Sequence, residues 1–175
     1  MITIAGGTGK IMHNGLNVAP APMVDAWVII SDFTTDASSP DYMNSNWARQ
    51  DLGNNLFEKI GTGMSESSGI FTFPSTGKYQ INAEWSINAN GQTDSNVLGS
   101  IFATYDNSTY TRIARASISV TGTEGYNITA QAMIDVTDTS QIKVRLASDS
   151  SNGVLFEGQN GAMRTGIIFK RIGDT

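Results

Sequence analysis

The sequence predicts an all-β antiparallel sandwich, and three alternating runs carry that prediction. Between residues 77 and 88, Tyr79, Ile81, Ala83, Trp85 and Ile87 share one parity, while Gln80, Asn82, Glu84, Ser86 and Asn88 share the other. Side chains of an extended strand point alternately to two faces, so this run is a long strand with one dry face. Tyr126, Ile128, Ala130, Ala132, Ile134 and Val136 repeat the pattern against Asn127, Thr129, Gln131, Met133 and Asp135. Ile142, Val144 and Leu146 do so against Gln141, Lys143 and Arg145. Strands buried on one face only belong to antiparallel sheets.

Taken in order, residues 1–22 differ from the remainder of the chain. Gly6, Gly7, Gly9 and Gly15 precede Ala19-Pro20-Ala21-Pro22, with little periodicity. The two prolines fix φ and bias their predecessors to extended backbone, which predicts a stiff N-terminal arm ahead of one domain over residues 23–175. Strands are then expected at 27–30, around Trp47, Arg49 and Asp51, and at 57–60, 69–73, 77–88, 97–105, 112–120, 125–136, 141–147 and 161–172. A polar loop with Pro40 fills 34–45. Asn90-Gly91, Asp106-Asn107-Ser108, Gly122-Thr123-Glu124-Gly125, Asp138-Thr139 and Asn152-Gly153 supply the turns. No fixed-period repeat or heptad is present. Tyr79 and Trp85 read as core and not as ligand platforms.

Composition narrows the function. At 175 residues, one sandwich with one core is the economical reading. A net charge of −5 with scattered Lys and Arg argues against a nucleic-acid partner. There is no cysteine, so disulfides and thiolate metal sites are excluded. No apolar run approaches the roughly 20 residues that cross a bilayer, and no export signal or membrane partner is expected.

The segment Gly69-Ile70-Phe71-Thr72-Phe73-Pro74-Ser75-Thr76-Gly77-Lys78-Tyr79 places Phe71, then five residues, then Gly-x-Tyr at the mouth of a long strand. It resembles the corresponding signature of the C1q/TNF-like jelly-roll superfamily. Ile81 and Met64 stand where that superfamily usually has aromatic residues. A wider order resembles structural proteins of marine tailed bacteriophages over residues 24–175. It comprises Trp27, Asn46-Trp47-x-Arg49-x-Asp51, Gly61-x-Gly63-Met64-Ser65, the segment from Ser68 to Pro74, Asp106-Asn107-Ser108, Asp135-Val136-Thr137-Asp138-Thr139 and Ile172-Gly173-Asp174-Thr175. The resemblance implies a homotrimeric jelly roll at a virion surface, used as a fibre, knob or capsid decoration. It also implies that the first and last strands lie together near the trimer axis.

The last strand is apolar on both parities, with Met163, Ile167 and Phe169 on one and Ile168 and Ile172 on the other. A strand of that kind needs cover on both faces, and these five residues are the expected trimer interface. The apolar residues of the arm, Ile2, Ile4, Ile11, Met12, Leu16 and Val18, are the expected attachment contacts to major capsid or tail proteins.

Chemistry has weaker claims. Gly6-Gly7-Thr8-Gly9-Lys10 lacks the spacing of a phosphate loop, because Ile4 holds the first glycine position and Ile11 follows the lysine. His13 is the only histidine and sits in the arm, away from any acid or nucleophile. Asp94, Asp106, Asp135, Asp138 and Asp149 sit at expected turns or strand ends, where aspartate caps backbone donors, and nothing selects a catalytic pair. Asp94-Ser95-Asn96, Asp106-Asn107 and Asp135 with Asp138 offer hard oxygens of the kind calcium takes, without EF-hand spacing. The turn reading is preferred, and no cofactor, metal or catalytic residue is expected. Asn107-Ser108-Thr109 and Asn127-Ile128-Thr129 match the glycosylation pattern and are given no role.

The expected function is therefore a non-enzymatic bacteriophage virion protein, a trimeric capsid decoration or short head fibre attached through its arm. The first alternative is the receptor-binding tip of a tail fibre, with loops 36–44, 93–96 and 148–159 touching a host-surface glycan or protein during host attachment. The second is a polysaccharide-degrading enzyme.

Overall fold

The computed structural model describes residues 22–35, 39–50 and 59–175, together with the backbone of 2–4, 11–13 and 16–17. Among these residues there are sixteen strands. They are β1 Ile2–Ile4, β2 Ile11–His13, β3 Leu16–Asn17, β4 Met23–Ile29, β5 Phe33–Thr34, β6 Asp41–Tyr42, β7 Trp47–Arg49 and β8 Ser65–Ser67. Then come β9 Ile70–Thr72, β10 Gly77–Asn88, β11 Asp94–Thr104, β12 Tyr110–Val120, β13 Gly125–Val136, β14 Lys143–Asp149, β15 Leu155–Phe156 and β16 Gly166–Gly173.

Two antiparallel sheets face each other. In the seven-stranded sheet, β10 pairs with β13 on one side and with β16 and β15 on the other; β16 continues to β4 and β7, and β15 to β5. The six-stranded sheet runs β12-β11-β14-β9-β8, with β6 also on β14. The first long strand of the sandwich and the last are hydrogen-bonded neighbours, Ile167 opposite Trp27.

Alternation does what it predicts. β10 and β13 pair over their whole lengths, from Gly77 opposite Val136 to Asn88 opposite Gly125, so their dry parities coincide and face inward. Tyr79, Ile81, Trp85 and Ile87 meet Ile101, Val144 and Leu146 of the opposite sheet in one core, closed by Phe71, Phe156 and Phe169. The indole of Trp85 lies flat against β11, where a Cβ on Gly99 would run into the ring. Only hydrogen fits there.

The differences from expectation lie at short elements. β8 falls where no strand is expected, and β6 and β15 lie within stretches that read as loops, because pairings of two or three residues leave no periodicity to detect. Of the strand expected at 57–60, residues 57 and 58 lie outside the described set, and Ile60 forms only a single bridge to Val24. In the arm, β1, β2 and β3 pair into a three-stranded antiparallel sheet, so the chain doubles back where one extended lead-in is expected. Val18 and Asp51 lie outside the described residues.

Candidate interaction surfaces

Inward and outward parity divides the expected interface residues. Ile167 and Phe169 are fully buried in the protomer's own core, and Phe169 packs 5.3 Å from the Phe71 ring. They are therefore not interface residues, because strand alternation turns them towards the opposite sheet. Ile168 and Ile172 point the other way, onto the outer face of the seven-stranded sheet. Ile172 is the extra residue of a bulge, since Lys78 faces Gly173 while Tyr79 faces Arg171, and it is 45% exposed. Met163 precedes β16 and lines a groove of about 130 Å³ with Ile168, Asn82, Glu84, Thr129 and Gln131. A second groove of about 200 Å³ lies between Ile172, Met133 and Asp135. Met133, placed opposite Gln80, is 74% exposed. This outer face thus mixes amides and carboxylates with an apolar stripe in which Met133 and Ile172 are exposed and Met163 and Ile168 half-exposed among the described residues.

The inner side of the same sheet carries a charge that periodicity does not reveal. Asp25 lies on the core parity of β4, between Met23 and Trp27, and is completely buried. Its Oδ1 accepts from Arg49 Nε at 2.8 Å, and its Oδ2 accepts from Arg49 Nη2 at 3.1 Å, Trp27 Nε1 at 3.0 Å and the Met64 backbone at 2.7 Å. Arg49 Nη2 also donates to the Met64 carbonyl, and its guanidinium lies 4.5 Å from the centre of a Trp27 ring. Trp27 and Trp47 both meet Phe71 edge-on. Gly63 sits at φ 75°, and a Cβ there would lie 2.7 Å from Asp25 Oδ2, so glycine is required twice over. Trp27, Trp47, Arg49, Gly63 and Met64, widely spaced in the chain, are one structural knot. The detectable signal is an aspartate on an apolar parity.

The turn carboxylates behave as caps. Asp106 accepts from Thr104 Oγ1 and from the backbone of Ser108 and Thr109, and the Thr109 amide leads the group that pulls its carboxyl well below the usual range. Asp138 accepts from the Ser140 hydroxyl and backbone, which lower it as well. Asp94 accepts from Asn96, Ser150 and Ser151. Burial opposes its ionisation most strongly of any single influence, but the three hydrogen bonds together outweigh it and hold the carboxyl low. Asp135 stands directly across from Lys78. Among the described residues, no three His, Cys, Asp or Glu gather as a metal site.

The outer face of the six-stranded sheet is built differently. Phe102 of β11 lies opposite Arg112 of β12 and Arg145 of β14. Tyr42 of β6 covers Phe102, with ring centres 5.3 Å apart, and stands 6.1 Å from Tyr110. The Arg145 guanidinium rests 3.5 Å over Tyr42 and 5.1 Å from Tyr110. Arg112 lies over Phe102 and bonds Asp149 Oδ2 at 3.1 Å. Burial lowers the Arg145 pKa and raises that of Tyr110. Sequence alternation places Arg145 on the wet parity and gives no hint of these rings, which arrive from β6, β11 and β12.

No family model and no curated protein matches this chain. Solved structures do match its fold. Murine APRIL at pH 5.0 superposes with a TM-score of 0.61 at 10% identity, over 86% of this chain and 99% of APRIL. The pH 8.0 form of murine APRIL gives 0.61 at 12% identity over the same shares. Eiger TNF from S. frugiperda gives 0.60 at 8% identity, over 89% of this chain and 96% of that one. With two antiparallel sheets, a central β4-β16-β10-β13 order and these neighbours, the chain has a C1q/TNF-like jelly-roll fold.

Proposed function

We propose that this protein is a trimeric, non-enzymatic virion protein of a tailed bacteriophage, a capsid decoration or short head fibre held to the particle through residues 1–22. The resemblance of its residue order to marine phage structural proteins supports the setting, and the jelly-roll fold supports the architecture. The observation that supports the trimer is the apolar stripe on the outer face of the seven-stranded sheet, exposed at Met133 and Ile172 and half-exposed at Ile168 and Met163. Three copies meeting through that face would take the stripe out of water, at roughly 25 cal/mol per Å² of apolar surface. Function would then be attachment and protection, with no bond made or broken. Sedimentation at micromolar concentration tests the assembly: one species of three chains is expected, and well-behaved single molecules overturn it. Deleting residues 1–22 is expected to leave a folded trimer that no longer joins particles. A particle image then decides placement, hundreds of copies on the head meaning decoration.

A second reading, the receptor-binding tip of a tail fibre, is favoured by how the three recognition loops converge. Asp41 pairs with Ser148 and its backbone N–H donates to Asp149 Oδ1, joining the described part of loop 36–44 to loop 148–159. Asn152 Nδ2 donates to the Thr93 carbonyl, and Ser150 and Ser151 bond Asp94, joining that loop to 93–96. A few trimers at the tail, not hundreds on the head, would establish this alternative.

A further inference from the structure

We propose that the outer face of the six-stranded sheet binds an acidic saccharide, whose carboxylate is received by Arg145 between Tyr42 and Tyr110. The site lies within one protomer and is independent of where the protein sits on a particle. Loss of trimerisation or of particle attachment therefore leaves it standing.

Arg145 is a cation without an acid among the described residues. Arg49, Arg112, Arg164 and Arg171 each hold a carboxylate, and Arg115 is exposed. Arg145 is half-buried, yet it forms no ion pair or hydrogen bond among the described residues. Its contacts are the rings of Tyr42 at 3.5 Å and Tyr110 at 5.1 Å. Ring stacking occupies the faces of a guanidinium and leaves its edge, where the N–H groups point, for a partner in the plane. A carboxylate approaches in that plane with two oxygens. The rings also hold the side chain in place, so little rotamer freedom remains to be lost on binding.

Unmet hydrogen bonds concentrate at the same place. Six buried side-chain polar atoms lack a partner among the described residues, and three of them, Arg145 Nε, Arg112 Nε and Ser100 Oγ, belong to this one face. Ser100 shares the outward parity of Phe102 on β11. Buried polar groups are normally satisfied, and half of the orphans among the described residues fall on the face that carries this cation. Burial also weakens the charged form of Arg145, a cost that an anion would offset.

The surroundings select the class of anion. The whole chain carries −5, which disfavours a densely charged polyphosphate or polysulfate more than a saccharide bearing one carboxylate per sugar. Tyrosine rings offer apolar faces to pyranose C–H groups, which a bare inorganic anion lacks. An acidic peptide adding to the sheet would lie along the free edge of β12, whereas Arg145 stands on β14, two strands in from that edge.

Calorimetric titration of the full chain with oligogalacturonate, oligoalginate and sialyllactose, each beside its carboxyl-reduced form, tests the proposal. Dextran sulfate and inorganic phosphate serve as the competing anions. Saturable binding of at least one acidic sugar is expected, weaker by about tenfold or more once its carboxyl is reduced. R145Q is expected to lose a similar factor while melting no lower than the wild type, since an unpaired half-buried charge goes with it. R145K keeps the charge but not the planar fork, and is expected to bind several-fold more weakly. Failure of all three sugars to bind, equal binding of the reduced forms, unchanged binding by both variants, or tighter binding of sulfate or phosphate each overturns the assignment.

Discussion

Each sheet encloses one cluster of charged and aromatic side chains, on the inner side of the seven-stranded sheet and on the outer side of the six-stranded sheet. The seven-stranded sheet hides a carboxylate inside, where Asp25 accepts four hydrogen bonds from Arg49, Trp27 and Met64, and leaves Met133 and Ile172 bare outside. The six-stranded sheet faces the core with Ile101, Val144 and Leu146, and carries Arg112 and Arg145 outside on a bed of aromatic rings. The difference shows that parity decides which residues share a face, while tertiary packing decides what that face meets. An inward charge is tolerable when every lone pair finds a donor, and an outward apolar residue is tolerable when something covers it.

Breaking the inner charge is expected to have the largest effect. Asp25→Ala leaves Arg49 without its acid and strips a partner from Trp27 Nε1 and the Met64 amide. Removing one member of a buried pair costs about 3–5 kcal/mol, and the lower end applies here because Arg49 is 32% exposed and can rehydrate. Urea denaturation reads this as a drop in midpoint at unchanged slope. Next comes the plain interior of the six-stranded sheet. Gly99→Ala drives a methyl into the Trp85 ring, with an expected loss of about 1–3 kcal/mol and a changed tryptophan emission on melting.

Acid is expected to act at the turns. Asp94, Asp106 and Asp138 have folded-state pKa values below the ordinary carboxylate range, so their stabilisation is complete above about pH 4 and is lost as pH falls through the folded values. Melting temperatures between pH 5 and pH 2 should fall, and Asp94→Asn should flatten part of that fall. The smallest effect on stability belongs to the bare outer face. Met133→Glu is expected to change the unfolding free energy of the protomer by no more than about 0.5 kcal/mol. The same substitution should nonetheless convert the proposed trimer into folded single chains by sedimentation, which separates an uncovered surface from a working part of the core.

Much of the fold is legible in the sequence, for identifiable reasons. The bounds of β10 and β13 can be read to the residue because twelve residues of alternation run between clear turn residues. The same parity places Tyr79 and Trp85 in the core, and both are fully buried. The pairings of β6 and β15 are not legible, because two residues carry no period and their partners lie far along the chain. Treating both parities of the last strand as interface fails for Ile167 and Phe169, since a central strand of one sandwich is apolar on both sides for two separate reasons. Asp25 and Arg145 escape because the meaning of each depends on side chains delivered by other strands.

What the chain determined alone was its period-two pattern, its turns and hence an antiparallel jelly roll, since these depend on neighbours a few residues apart. Only the folded molecule decided that Asp25 would be enclosed by donors, that Met133 would be left bare, and that Arg145 would lie on two tyrosines without an acid among the described residues. Such outcomes depend on which distant strands become adjacent, and one-dimensional alternation holds no record of that.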